Sequence, residues 1–389
     1  MIRRHQLPVH SPIRPVALLR ASTRTTRSAA RAEHDGVTRA LVEMYGARAA
    51  ALTDSGTSAL VLALRLAVGP GKTVAFPGYA CIDLAAAARF AGVRVRLYDV
   101  DPATLSPDLD SVARVLARGV DAVLVAHLYG FPADVPGVAI LAASHGARVI
   151  EDAAQGAGGL LHGARLGALG PLSVISFGRG KGTTGGNGGA LMAMTGDWEQ
   201  GVTNAVAGLG GIPAGWRDLV AAAAQWTLGR PGLYGVPSAI PSLRLGEMVY
   251  HPAHEPRALS AAAAALAGGA LRRSAAEVAT RQRNAAVLAE AVTECRAAVQ
   301  APRAVGGGEC GYLRFPVLAS AREAAPTLGI FRGYPRTLAE QEELRPILES
   351  GEREQPGALE LRRSLLTLPT HSLLTDRDTT TLQGWIRAG

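Results

Sequence analysis

A series of short apolar runs alternates with longer stretches that are apolar at helical spacing. The runs are AAALT (49–53), TVAFP (73–77), RVRLYDV (94–100), AVLVAH (122–127), RVIED (148–152) and LSVISF (172–177). Between them lie SGTSALVLALRLA, CIDLAAAARFAG, LDSVARVLARG and VAILAASHGA, several of which close on glycine. Strands alternating with helices of this length pair in parallel through right-handed crossovers. The pattern therefore predicts an α/β fold, an open and mostly parallel sheet sandwiched by helices. Ligands of such sheets sit beyond the carboxyl ends of the strands.

The alternation is lost after about residue 200, and residues 210–256 are rich in glycine and proline. A long helical stretch from Ser260 to Glu294 follows, and the remainder reads as a small α+β domain ending near RRSLLTLPTHSLLT. A chain of 389 residues also exceeds the roughly 250 to 300 at which one core stops growing. The expected division is a basic N-terminal arm over 1–32, a large domain over 33–235 and a small domain over 236–389. The arm has no acid before Glu33, as in a transit peptide, but LPVHSPI is interrupted by proline, which favours an arm packed on the body. From Glu33 to Tyr45, Val37, Ala40, Leu41 and Met44 share one helix face.

With 48% hydrophobic and 19% charged residues the composition is that of a soluble globular chain. Apolar runs such as AAAALAGGAL (262–271) fall short of the roughly 18 residues a membrane span needs, so no membrane partner is expected. Cys81, Cys295 and Cys310 make no C-x-x-C pair, which suits a reducing compartment, the cytoplasm, and argues against a structural zinc. The net charge of +8 is scattered rather than gathered in a stripe with aromatics, which disfavours nucleic acid as a partner.

Of 40 Lys+Arg residues only Lys72 and Lys181 are lysine. Arginine supplies a permanent charge, whereas lysine can lose its proton and condense with a carbonyl. Lys72, in GPGKT, reads as a surface charge. Lys181 lies in SFGRGKGTTGGNGG, five residues after Ser176 at a strand end. Upstream, DSGTSAL places Gly56 where a strand gives way to a helix, an anion site or an ordinary N-cap when taken alone. VIEDAAQ ends a strand on Glu151 and Asp152, which alone would read as a helix cap. A nucleotide P-loop is excluded, since Ile175 occupies its first glycine slot and Gly182 follows the lysine. Together the three features supply what pyridoxal 5'-phosphate (PLP) requires: a phosphate cradle, a carboxylate for the ring nitrogen and an amine for the aldehyde.

In this ordered set the sequence resembles the DegT/DnrJ/StrS sugar aminotransferase family of PLP fold type I. The resemblance runs through SGTSAL, GPGKTVAFPGY, YDVDPATLSPD, AHLYG, VIEDAAQGAG, SFGRGKGTTGGNGGAL and LTLPTH. It implies a large PLP-binding domain with a smaller C-terminal one. Lys181 would bind the cofactor's aldehyde and Asp152 its ring nitrogen. Gly56, Thr57, Ser58 and Ser176 would hold the phosphate, and Gln155 would lie near the ring hydroxyl. The implied reaction moves an amino group from glutamate or glutamine to a keto sugar, commonly nucleotide-linked, in a homodimer with shared active sites. A cyclitol ketone is an alternative acceptor, and sugar dehydration an alternative reaction. In the family's dehydratase branch histidine replaces the lysine, so Lys181 favours aminotransfer. A non-catalytic protein that has kept the fold fits the retained lysine, aspartate and serine less well.

This chain departs from the family at several places. Where the family has an aromatic against the cofactor ring it has Cys81, so that either the thiol or Tyr79 supplies that face. Asn187 replaces a common acid, and 205–256 lacks the usual pattern. His127 and His371 sit in apolar settings and read as structural, and His251 and His254 lack the further ligands a metal needs.

Overall fold

The computed structural model describes residues 4–24, 27–240, 248–295, 299–349 and 355–388. Parts of the expected arm (1–3 and 25–26), of the Gly/Pro-rich stretch (241–247) and of the C-terminal domain (296–298, 350–354 and 389) lie outside the described residues. The strands are β1 (Ala49–Thr53), β2 (Thr73–Pro77), β3 (Arg94–Tyr98), β4 (Ala122–Ala126), β5 (Arg148–Asp152), β6 (Leu160–Leu161), β7 (Ala164–Arg165), β8 (Leu172–Ser176), β9 (Gly189–Ala193), β10 (Gly308–Glu309), β11 (Phe315–Leu318), β12 (Phe331–Arg332) and β13 (Leu365–Leu368). The helices are α1 (Pro15–Thr23), α2 (Arg27–Tyr45), α3 (Gly56–Ala67), α4 (Asp83–Ala91), α5 (Leu109–Ala117), α6 (Val135–Ser144), α7 (Gly196–Gly208), α8 (Trp216–Leu228), α9 (Gly235–Ser238), α10 (Ala261–Leu271), α11 (Ser274–Glu294), α12 (Pro356–Ser364) and α13 (Asp376–Arg387).

Seven strands form the central sheet in the order β1-β9-β8-β5-β4-β2-β3. Neighbours are parallel except around β9, which runs antiparallel to both β1 and β8. Side-chain alternation sends each strand into two cores. In β2, Val74 and Phe76 pack under α3 and α4, while Ala75 joins the layer of α5 and α6. In β4, Leu124 takes the first side and Val123 and Val125 the second. At the other end, Leu52, Ile175 and Met192 face α2 and α10. Each such buried aliphatic side chain contributes about 1.5 to 3 kcal/mol, and with both faces covered β2, β4 and β8 read as mainly apolar runs, whereas the edge strand β3 exposes Arg94.

The α2–α10 layer was not expected in this form. Helix α2 begins at Arg27, ahead of the anticipated Glu33, because Arg27–Ala32 holds no proline or glycine to stop it. Glu33 is buried and accepts from Arg20 at 2.8 Å, which ties α1 to α2. Helix α10, nearly all alanine and glycine, is buried on almost every side, and its small residues let α2 approach. A second, separate core joins α11 and α13 to the antiparallel sheet β11-β13-β12 through Leu288, Phe315, Val317, Leu366 and Ile386.

Pairing registers bring distant strand ends together. Gly189 lies opposite Thr53 on one side and Ser176 on the other, so β9 sets the end of β1 beside the end of β8. A Cβ at Gly189 would stand 2.8 Å from Gly56 Cα, so only glycine permits this approach. On the other side of β8, β5 and β4 run in parallel and pair Asp152 with Ala126.

Candidate active site

A cavity of about 180 Å³ lies beyond the carboxyl ends of β1, β4, β5 and β8. Its first wall is the start of α3. Ser55 caps this helix: its Oγ accepts from Ser58 N at 3.0 Å and donates to Ser58 Oγ at 2.9 Å. Gly56 and Thr57, the first helical residues, line the cavity and present the positive end of the helix dipole. Ser176 faces them, and a Cβ on Gly56 would come within 3.0 Å of its Oγ. Ser58 does not line the cavity, because its amide and hydroxyl are both engaged by Ser55.

The second wall is the end of β5, where two consecutive carboxylates part company. Glu151 is fully buried and accepts amides from Gly167 (2.6 Å), Leu169 (2.9 Å) and Gly170 (2.8 Å). It also accepts from His127 Nε2 at 2.9 Å, while His127 Nδ1 accepts from Ala133 N at 3.0 Å. The backbone donor on Nδ1 therefore places the ring proton on Nε2. His127 is among the lining residues, but its side chain is wholly buried and both ring nitrogens are engaged in the fold. Asp152 is the carboxylate that borders the cavity, with Oδ1 accepting from Ala154 N at 2.9 Å. Burial raises its pKa, opposed by the Ala154 amide and the charge of Lys181.

Lys181 enters from a loop closed at its base. Phe177 N donates to Gly188 O at 2.8 Å, and Phe177 O accepts from Gly185 N at 2.9 Å and Thr184 Oγ1 at 3.1 Å. Gly180 (φ +74°) and Gly182 (φ +81°) flank the lysine in left-handed conformations that a side chain would strain. Lys72, by contrast, is exposed and pairs with Asp121 at 3.1 Å.

Further polar lining comes from Gln155, Cys81, Asp83, Asn187 and Tyr334. Gln155 Oε1 accepts from Tyr129 N at 3.1 Å, and its Nε2 donates to the hydroxyl of Tyr334 at 2.5 Å. Cys81 lines the cavity and donates its thiol to Asp83 Oδ2 at 3.3 Å. Burial, then the charge of Asp83, pushes the Cys81 pKa up to about 12, so the thiol stays protonated. Tyr79 does not reach the cavity. Its ring is buried against Tyr334, centroids 5.1 Å apart, and its hydroxyl accepts from Tyr334 N at 2.7 Å. Asn187 also lines the site.

Asp83 and Tyr334 were not anticipated. Asp83 opens α4, six residues beyond the end of β2, where an acid reads as an ordinary first-turn residue of a helix. Tyr334 arrives from the C-terminal sheet, with no local sequence cue. His371 lies away from the cavity, its Nε2 donating to Leu7 O at 2.9 Å and its Nδ1 accepting from Leu373 N at 3.3 Å. His254 lies 3.5 Å from Asp54, and no group of three potential metal ligands occurs among the described residues.

Residues 19–206 match the DegT/DnrJ/EryC1/StrS aminotransferase family. Over 124 residues the chain is 40% identical to UDP-N-acetyl-3-dehydro-alpha-D-glucosamine 3-aminotransferase of Acidithiobacillus ferrooxidans, covering 32% of this chain and 34% of that one. Over 251 residues it is 33% identical to L-glutamine:2-deoxy-scyllo-inosose aminotransferase of Streptomyces lividus, covering 64% of this chain and 54% of that one. The chain thus spans from about a third to about half the length of these relatives. The fold is shared with the E. coli GDP-4-keto-6-deoxy-D-mannose-3-dehydratase with bound hydrated PLP, at a TM-score of 0.76 and 14% identity over 98% of this chain and 99% of that one.

Proposed function

Because residues 19–206 belong to the DegT/DnrJ/EryC1/StrS aminotransferase family, we propose that the protein is a PLP-dependent aminotransferase. It takes an amino group from glutamate or glutamine and gives it to a keto sugar, commonly nucleotide-linked. The observation that carries this is the convergence of Lys181, Asp152 and the Gly56–Thr57–Ser176 cradle on one cavity. The residues fit the cofactor: a helix start with amides and a hydroxyl for a phosphate, a buried carboxylate, and an amine on a glycine-rich loop. When bound, PLP supplies an aldehyde for the donor's amine and a ring that draws electrons from the substrate carbon.

The side chains divide that work. Asp152, ionised, would hold a proton on the ring nitrogen and keep the ring electron-withdrawing. Lys181 Nζ would hold the cofactor at rest and, once displaced by the donor, carry a proton to and from the substrate carbon. Gly56, Thr57 and Ser176 would anchor the phosphate and so fix the cofactor's position. Gln155, oriented by Tyr129 N and Tyr334, would stand at the ring hydroxyl, with Cys81 at the ring face.

The names of the two relatives, an aminotransferase of a UDP-linked sugar and an L-glutamine-dependent aminotransferase of a scyllo-inosose, support this donor and acceptor class. Dehydration is the alternative reaction, and Lys181 weighs against it. A homodimer in the cytoplasm completes the proposal. Val206, Trp216 and Val220 expose apolar side chains on α7 and α8, where a second copy would cover them. No described helix is long and apolar enough to cross a membrane. The small domain we place from α11 onward, because α10 shares the core of α2 and the central sheet.

The test mixes protein, PLP and glutamine or glutamate with keto sugars and cyclitol ketones, following donor consumption and the absorbance of protein-bound cofactor. Wild type should show both. Lys181→Arg, which keeps the charge but cannot form an imine, should lose both. Turnover by that variant would sink the assignment, and success with a cyclitol alone would change only the acceptor.

A further inference from the structure

The segment 4–13 has no regular secondary structure, yet Gln6, Leu7, Ser11 and Ile13 are buried. A stretch without secondary structure of its own normally stays mobile unless something ties it down. Here the ties run to both cores. Arg4 pairs with Asp378 of α13 at 2.8 Å, Gln6 N donates to Thr327 O at 3.0 Å, and Leu7 O accepts from His371 at 2.9 Å. Further on, Ile13 packs with Ala222, Ala262 and Leu266 of α8 and α10.

Between these anchors the segment lies along the lysine loop. Ser11 Oγ accepts from Gly182 N at 3.2 Å, and a Cβ on Gly180 would sit 3.6 Å from Val9. Gly182 N belongs to the peptide that immediately follows Lys181. On its other side Gly182 abuts Arg281, whose guanidinium donates to Ala157 O at 2.8 Å. The peptide after the lysine is thus pinned between a buried hydroxyl and a buried guanidinium, which limits where the lysine's own Cα can point.

We propose that residues 4–13 are a strap that positions Lys181, with Ser11 as the positioning residue on the loop and the Leu7–His371 bond as its tether to the C-terminal sheet. The functional half of this inference rests on Lys181 being the cofactor-holding lysine; the ordering of the loop does not. Both halves are open to measurement. Arg179, exposed in the same loop, offers a tryptic site that reports loop order without any cofactor. The rate at which bound PLP is lost on dilution, followed by absorbance, reports the position of the lysine.

Ser11→Ala and His371→Ala are compared with wild type, each at the same interval below its own thermal midpoint. Both should speed cleavage at Arg179 and loss of PLP by roughly fivefold, the effect of removing one ordinary hydrogen bond. Ser11→Thr, which keeps the hydroxyl, should restore both. Wild-type cleavage in the alanine variants overturns the strap. Faster cleavage with unchanged PLP retention overturns its positioning of Lys181. If wild type takes up no PLP while cleavage responds, the strap stands and the cofactor reading falls. Should His371→Ala not fold, Ser11→Ala decides alone.

Discussion

At the residue scale the site's most consequential trade is at Asp152. Its raised pKa means that the folded chain disfavours the ionised form, so its contribution to stability falls as pH rises from the ordinary carboxylate range through the raised folded value. Asp152→Asn should therefore unfold at a higher temperature than wild type at pH 7 in the absence of cofactor, as calorimetry would show. Lys181 is only half-buried, so its charge is not stranded by the change. The same variant should bind PLP more weakly; a lower melting temperature without cofactor would contradict the account. Gly182→Ala carries the opposite sign. At φ +81°, with Arg281 2.6 Å and Ala157 2.8 Å from the added Cβ, it should cost at least about 1–2 kcal/mol in urea unfolding. That Lys181 and Asp152 would lie beside one cavity was legible because lysine is so rare here and strand ends are readable from apolar runs. The choice between Cys81 and Tyr79 was not: two residues apart beyond a strand, their separation depends on a hydroxyl meeting Tyr334 N, a partner no local pattern announces.

At the scale of elements, strands β1, β2 and β5 coincide with the runs read from the sequence, and β3, β4 and β8 stop only one or two residues sooner. Burial on both faces made β1, β2, β4 and β8 short, mainly apolar runs, β3 and β5 kept apolar residues among charged ones, and the helices between them carried their own period. What stayed hidden was which helices share a layer. Helix α10 is buried all round and so has no polar face to mark its neighbour, yet it packs on α2, far upstream. The closeness of that contact yields a prediction. Ala264→Leu, at a fully buried position in this layer, should destabilise by roughly 1–3 kcal/mol through overpacking. Chemical denaturation would show it, and an unchanged midpoint would mean the layer has room.

For the whole molecule the informative variable is pH. Burial pushes the pKa of His371 down to about 4 from 6.5, so the unfolded chain takes up a proton that the folded one refuses. Stability should fall as pH drops from 6.5 to 4, by on the order of 3 kcal/mol for this residue, and be indifferent to it above 6.5. Urea unfolding across that range tests the claim, and His371→Gln should flatten the slope. The proposed dimer is checked by sedimentation, with Trp216→Lys and Val220→Glu together expected to yield monomers. The bond from His371 to Leu7 joins residues 364 positions apart. A ribosome that has emitted Leu7 must therefore make the 364 residues up to His371 before the two can meet. Such non-local closures are late steps in folding. The lysine loop thus acquires this support only after β13 and His371 have been made, and a protein truncated before β13 would keep its central sheet and lack the proposed fastening of Lys181.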